Sequence, residues 1–421
     1  MKPCVASEGR TRAAVGLVAI ALLFLALNAN AYRGCFDGDD VDSIAWSRIL
    51  PAHDFIRAMV NPFPNTFGNF RAAAQTMYIV LGGPFPLSFP PYLVWMHAVH
   101  LLTAATLFFL LRRIGCTRAG SLAGTLFFTL NPASLDVYWR PMYVYDATAG
   151  LFCALALLAW VYDRWVIAFL CYWLAIKAKE SAVMLPLVLL AYEGFLGRRR
   201  WKRILPFGAI AAAMVVVALT MNKMQPPDYR FHFKLHALAV TGSFYASHLF
   251  GIPLAGILVV GVPLIFRDRR VWFGCAAFFV LLAPMLFLTG RLFSAYLYVP
   301  LLGLAVVAGA LIEKPRIAAL ASAAWLAWMT FVIQREHPRV LEAQRDTANY
   351  IRTVQSDIRQ RGSARAYAID GSPETMHPWG VTGLLRLLAP GSAIDAGARG
   401  PGTRVLEWNP AEHRLEIREV F

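Results

Sequence analysis

Residues 13–43 read AAVGLVAIALLFLALNANAYRGCFDGDDVDS. An apolar run from Ala13 to about Asn28 gives way to Phe36-Asp37-Gly38-Asp39-Asp40-Val41-Asp42-Ser43, with four carboxylates in six positions. Charge at bilayer depth is costly and tends to mark functional sites, so the stretch reads as a catalytic acidic cluster just beyond a first membrane span. Asp ahead of an amphipathic run is also good N-cap chemistry, and the local sequence supports both readings. Lys2, Arg10 and Arg12 precede the apolar run, and Ala29-Asn30-Ala31 has the small-x-small form of a signal-peptide cleavage site. An uncleaved first span is the preferred reading, because later spans need an orienting helix.

The remaining composition agrees. The 421 residues are 58% hydrophobic and 15% charged, with a mean hydropathy of +0.52. This describes a polytopic membrane protein. The net charge of +15 is dispersed in short clusters between apolar runs: Arg112-Arg113, Arg198 to Arg203, and Arg267 to Arg270. That is the positive-inside pattern of cytoplasmic turns, and it explains the charge without a nucleic-acid partner. Six scattered cysteines indicate neither a disulfide framework nor a metal site.

Ten further apolar runs follow, at 91–111, 119–131, 147–161, 165–176, 182–191, 204–221, 237–266, 271–288, 295–312 and 317–333. The run at 237–266 is too long for one upright helix and is expected to break near Gly251-Ile252-Pro253. About eleven spans put the N-terminus inside and the C-terminus outside, with every basic cluster on the inner side. Residues 32–91 form a long outer loop. Within it, Ser43–Met59 is expected to be one amphipathic surface helix, and the Pro- and Gly-rich passage from Asn61 to Pro86 an ordered interfacial loop. His97 and His100, at i,i+3 spacing, read as hydrogen-bonded structural groups, with metal ligation as the lesser alternative. After His337-Pro338 the character changes: a polar helix at 340–361, a strand at 364–370, a short helix at 381–388 and a hairpin over 404–420 turning at Asn409-Pro410. The expected architecture is an α-helical membrane domain over 1–337 and a small extracytoplasmic α/β domain over 338–421.

In this topology Asp37–Asp42; Asp136, Arg140 and Asp146; Lys177, Lys179 and Glu180; and Arg291 with Tyr296 and Tyr298 all meet the outer face. Acids and bases at one membrane depth suit a substrate with an apolar and a polar end. Sugar transfer from a lipid-linked phosphate fits: Asp39 or Asp40 would take the proton of an attacking hydroxyl. Asp136 and Asp146 would position substrate, and Arg140, Lys179, Glu180 and Arg291 would build the phosphate pocket. The alternatives are an Asp136–Arg140 helical pair, and Lys179 and Glu180 as simple interfacial snorkellers.

Leu130-Asn131-Pro132-Ala133-Ser134-Leu135-Asp136-Val137-Tyr138-Trp139-Arg140 with Asp146, then Ala178-Lys179-Glu180-Ser181-Ala182-Val183-Met184-Leu185-Pro186, resembles the GT-C integral-membrane glycosyltransferases. The nearest branch is the protein O-mannosyltransferase-like group, including members with tetratricopeptide repeats. The acidic pair Asp39-Asp40 matches the place of that family's catalytic carboxylate, and Tyr296-Leu297-Tyr298-Val299-Pro300 with Gly303 is similar to a later family segment. Asn131 stands where the group has histidine, Pro141–Tyr145 replaces its glycine-arginine link, and the repeats are missing. The resemblance implies a polyprenyl-phosphate sugar donor, inversion, a protein, lipid or glycan acceptor, and no required cofactor, with a divalent metal possible. Short loops and the absence of eukaryotic retrieval signals favour a bacterial inner membrane, and the topology puts the site on its periplasmic face. A multi-pass transporter or flippase of a lipid-linked or anionic substrate is the alternative; it would place charges in mid-span and break helices there in related halves.

Overall fold

The computed structural model describes residues 4–61, 71–394 and 400–420, with side chains from residue 13 onward. Helix α1 (Cys4–Leu27) is followed by a 3-10 turn at Ala29–Arg33, then α2 (Gly38–Ile49), α3 (Ala52–Val60), α4 (Ala72–Gly82), α5 (Phe89–Arg113) and α6 (Arg118–Thr129). The chain continues through short α7 (Leu135–Trp139), α8 (Val144–Val161), α9 (Trp165–Ala178), α10 (Leu185–Phe195), α11 (Leu205–Thr220), α12 (Leu235–His248), α13 (Leu258–Ile265), α14 (Arg269–Leu282) and α15 (Leu301–Leu311). The last membrane-length element is α16 (Pro315–Arg361), after which come β1 (Ala366–Asp370), α17 (His377–Leu388), β2 (Ala393–Ile394), β3 (Thr403–Asn409) and β4 (Arg414–Val420).

Among the described residues five helical stretches are long and apolar enough to cross a membrane: 89–113, 141–161, 201–220, 269–287 and the apolar half of α16. Five shorter apolar helices accompany them, one of which, α4, lies where an ordered interfacial loop was expected. Ala72-Ala73-Ala74-Gln75 and the residues after it form a helix despite the flanking Gly and Pro, which only bound it. Residues 62–70 of that passage lie outside the described residues. The single surface helix expected over 43–59 is two, α2 and α3. Pro51 removes an amide, and Leu50 before it is extended (φ −73°, ψ 119°). The expected break in 237–266 is present, between α12 and α13, with Gly251 at φ 68°.

The bundle has two ends of different chemistry. At one, Arg113 lies over the Tyr162 ring (4.8 Å), Arg200 and Arg203 converge on Asp163, and Arg270 joins Asp268, Glu313 and the Gly115 carbonyl. The basic turns therefore share one side. The other end collects the acidic motif, residues 130–146, 178–184 and 288–300. His97 and His100 lie below it. His97 contacts Tyr32 Oη and the Tyr138 carbonyl (both 3.0 Å); His100 contacts Tyr298 Oη (2.9 Å) and the Thr129 carbonyl (3.0 Å). Both rings are thus fully used as structural hydrogen-bonding groups.

The division expected at 337/338 falls inside α16, which carries Pro338 and continues without interruption from apolar to polar sequence. Beyond it, the sheet has the order β2-β1-β3-β4, with β1 parallel to β2 and β3, and β3 antiparallel to β4. A buried ion pair, Arg404 to Asp357 (2.9 Å), ties β3 to the end of α16. Helix α17 lies against α2 through glycines: a Cβ on Gly380 would sit 2.4 Å from Gly38 Cα, and one on Gly383 would sit 2.7 Å from Asp42 Cα. The Gly38 amide donates to the Thr375 carbonyl (2.8 Å).

This contact reverses an ordinary expectation. Gly→Ala inside a helix stabilises by roughly 1 kcal/mol on propensity. Gly383→Ala is instead expected to destabilise by about 1–3 kcal/mol, because the obstructing atoms are backbone and cannot rotate away. Gly208→Ala, with nothing within 4 Å of its Cβ position, is the control. Thermal denaturation of the detergent-purified protein should move down for the first and not for the second.

Candidate active site

The first turn of α2 shows why the acids stand where they do. Asp37 is extended (φ −89°, ψ 167°) and caps the helix, its side chain accepting from the Asp40 amide. Asp40 Oδ2 in return accepts from the Asp37 amide (2.9 Å), completing a reciprocal capping box. Asp40 is fully buried, and its other oxygen accepts from Tyr78 Oη on α4 (2.7 Å). Burial, and then the adjacent Asp37 charge, push its pKa well above the usual carboxylate range. Asp39, partly exposed, accepts from Trp379 Nε1 on α17 (2.7 Å). Asp42 faces Arg386 at 3.8 Å.

Arg140 reaches Asp37 through two parallel contacts, Nε to Oδ2 (3.0 Å) and Nη2 to Oδ1 (2.7 Å). This bidentate form is the strong one. The expected i,i+4 contact with Asp136 also exists but is looser, at 3.8 Å. Asp136 is held instead by Ser294 Oγ (2.7 Å). At the head of α8, buried Asp146 pairs with buried Lys179, whose ammonium also lies 4.3 Å from the centre of the Tyr296 ring. Glu180, half exposed, forms a bidentate pair with Arg71 (Nε to Oε1 and Nη2 to Oε2, both 2.9 Å), which stacks over Tyr145 at 5.1 Å. Lys179 and Glu180 are therefore paired groups and not loose snorkellers. Tyr145 Oη also donates to Gln75 (3.1 Å) and contacts Ser43 Oγ (3.3 Å), so α2, α4 and α8 meet there. Lys177 turns away to the Asn61 carbonyl and does not join the group.

Arg291 differs from the other cations. Its guanidinium lies 4.3 Å from the Tyr229 ring centre and 5.0 Å from that of Phe293, beside the Tyr296 hydroxyl. Its Nε is buried with no hydrogen-bond partner, and it has no acidic partner among the described residues. Buried donors are almost always satisfied, so an unsatisfied one at a polar convergence suggests a site for an acceptor. Tyr298, grouped with it by sequence, faces inward to His100.

The site thus brings together Asp37, Asp39, Asp40, Asp136, Arg140, Asp146, Lys179, Glu180 and Arg291. Sequence reasoning did not single out Asp37 as the partner of Arg140, and it missed Arg71, Gln75, Tyr78 and Tyr145. Among the described residues no three His, Cys, Asp or Glu side chains are gathered as a metal-ligand set.

No family model and no curated protein matches the sequence. Solved structures do match in fold, among them the crystal structure of ArnT from Cupriavidus metallidurans bound to undecaprenyl phosphate. The likeness covers 95% of this chain and 93% of that one, with a TM-score of 0.54 and 13% identity. The fold is ArnT-like. Together with the apolar helices it fits an integral membrane protein, and it agrees with the mostly helical fold expected from the sequence.

The capping box gives a pH test. The raised Asp40 pKa means the folded state holds a proton that the unfolded state releases, so this group lowers stability as pH rises from the ordinary carboxylate range toward the folded pKa. Asp40→Asn removes that loss while keeping an acceptor for the Asp37 amide and a donor toward Tyr78. Its thermal midpoint relative to the native chain is expected to rise as pH climbs from about 4 upward, the range in which an ordinary carboxyl is ionised. A constant difference over that range would show Asp40 to be ionised throughout.

Proposed function

We propose that this chain is a GT-C-type glycosyltransferase that moves a sugar from a polyprenyl-phosphate carrier to an acceptor hydroxyl at the end of the bundle where α2 begins. The observation that carries the reading is Arg291, a cation between aromatic rings with a buried unsatisfied donor, bordering Lys179 and Arg71 around Tyr296. A phosphate is an acceptor that meets this requirement. ArnT, a structural neighbour, was crystallised with undecaprenyl phosphate. The basic turns gather at the opposite end, which supports a cytoplasmic side there and a site on the outer, periplasmic face of an inner membrane. The acids and cations lie at helix ends and not in mid-span, which favours transfer chemistry over transport.

Energetics sort the cations. Freeing Arg140 would strand Asp37, 2% exposed, at a cost of about 3–5 kcal/mol for a buried unpaired charge. Lys179 is bound to buried Asp146 in the same way. Both are fixed charges that shape the field. Arg71 is different, because half-exposed Glu180 returns to water and such a pair is worth roughly 0–1 kcal/mol. Arg291 and Arg71 are thus the cations that meet the leaving phosphate, with Lys179 behind them.

Among the acids, Asp40 has both oxygens engaged and no exposed surface, so it positions the turn. Asp39 is partly exposed and is the base: it takes the proton as the hydroxyl oxygen bonds the anomeric carbon and the sugar–phosphate C–O electrons pass to the phosphate. Asp136, 31% exposed and fixed by Ser294, is placed to hold a substrate hydroxyl. The motifs make the protein O-mannosyltransferase-like branch the nearest model, with a protein, lipid or glycan as acceptor.

The test is transfer of radiolabelled sugar from a panel of polyprenyl-phosphate donors to cell-envelope material, in membranes carrying the native chain or single variants. Asp39→Asn is expected to lower kcat by about 10²–10⁴ with donor KM little changed. Arg291→Ala is expected to raise donor KM and lower kcat. Loss of transfer in Asp40→Asn with full activity in Asp39→Asn would overturn the assignment of the base. A native chain that transfers from no donor would overturn the enzyme reading in favour of transport.

A further inference from the structure

A second polar convergence lies on the other side of Trp139 from Arg140, between the first and the last long helices. The exposed face of α1 carries Val15, Val18, Leu22 and Leu25, and that of α16 carries Ile317, Leu320 and Phe331. Both helices turn polar at the same level: α1 runs into Asn28, Asn30 and Arg33, and α16 into Gln334, Arg335 and Glu336. A cavity of about 540 Å³ opens there, with Leu27 and Ile333 toward the apolar side and Arg33, Gln334, His337 and Arg345 toward the polar side. This is the profile expected at headgroup depth, where long basic side chains and apolar walls meet.

Two features of the cavity favour an anionic ligand. First, among the described residues lining it there are two arginines and no carboxylate, and neither Arg33 nor Arg345 forms an ion pair there. Arg140, Arg200 and Arg270, by contrast, are each matched with acids. Second, His337 is only 6% exposed, and its Nε2 has no hydrogen-bond partner. The ring is held by stacking on Trp139 (centroids 4.5 Å apart, planes at 24°), and the Trp139 indole is in turn fixed by Asn28 Oδ1 (2.6 Å). A buried polar atom on a fixed ring at the wall of a cationic cavity calls for an acceptor from outside the protein.

We infer that this cavity binds the phosphate of an anionic membrane lipid, with Arg33 and Arg345 facing the charge, His337 Nε2–H donating to a phosphate oxygen, and an acyl chain lying on the exposed apolar strip between α1 and α16. The site is separate from the proposed donor pocket. Arg140 turns toward Asp37 while its neighbour Trp139 forms the wall behind His337. The apolar strip distinguishes a lipid from free phosphate, because a free ion would use only the polar half. The inference does not depend on the transfer reaction.

Native mass spectrometry of the full chain in detergent tests it, with phosphatidylglycerol, phosphatidylcholine of the same chain length, or inorganic phosphate added. The native chain should retain one phosphatidylglycerol in clear preference to phosphatidylcholine. Each arginine removed should lower that preference about fivefold, following the usual contribution of a basic residue near an anionic surface. The Arg33→Gln/Arg345→Gln double variant should therefore show almost none. Ala26→Trp, placed on an exposed lining position, fills the cavity with the arginines intact and should abolish retention at an unchanged thermal midpoint. Equal retention by the double variant or by Ala26→Trp would overturn the site. Displacement of the lipid by equimolar inorganic phosphate would overturn the lipid as its ligand.

Discussion

A carboxylate that has lost its water must be given something in exchange, and the first turn of α2 is arranged around that requirement. Four acids fall within six residues, and each is answered by a different part of the chain. Asp37 is met by Arg140 from the end of α7, Asp40 by its own helix start and by Tyr78 of α4, Asp39 by Trp379 of α17, and Asp42 by Arg386. Only a backbone that brings α4, α7 and α17 to this turn can bury it. The glycines at 38, 380 and 383 let α17 approach to backbone contact, so the C-terminal sheet and helix complete the surroundings of the acidic turn. A substitution far along the chain, at position 383, is therefore coupled to the geometry of residues 37–42.

Much of this was legible in the sequence because it rests on local chemistry. The acidic turn, the polar group at 136–146 and Lys179-Glu180 were visible as charges breaking apolar runs, and the capping role of the acids was one of the two readings the turn allowed. The hairpin at 404–420 and the break in 237–266 followed from turn residues and length. What was missed depends on distant pairing. Arg71 is a lone arginine in an aromatic and proline-rich passage, and its partner Glu180 is 109 positions away, so no spacing rule links them. Arg140 looked like the i+4 partner of Asp136, since that is the only carboxylate within helical reach. The stronger bidentate geometry to Asp37 comes only from the folded chain. Helix α4 was obscured because Gly and Pro on both sides signal turns more strongly than an eleven-residue segment signals a helix. The glycines of α17 carry meaning only once α2 lies beside them.

The two ends of the bundle use the same chemical pair, arginine with carboxylate, and the difference between them separates structure from function. At the basic end the account closes. Arg200 gives its donors to Glu193, Asp163 and the Trp160 carbonyl, and fully buried Glu193 also accepts from Trp160 Nε1. Arg270 is likewise filled by Asp268, Glu313 and the Gly115 carbonyl. Among the described residues neither arginine leaves a buried donor over, and a satisfied network of this kind fixes helix ends without inviting a ligand. At the other end the account stays open. Arg291 has an unanswered Nε, Glu180 leaves half its surface in water, and Asp39 keeps exposed surface beside a buried, fully engaged Asp40. Unmet hydrogen-bonding capacity in a protein interior costs about 1–3 kcal/mol per group. Of the three groups only Arg291 Nε is buried and carries that cost, and an acceptor bound at that end would relieve it.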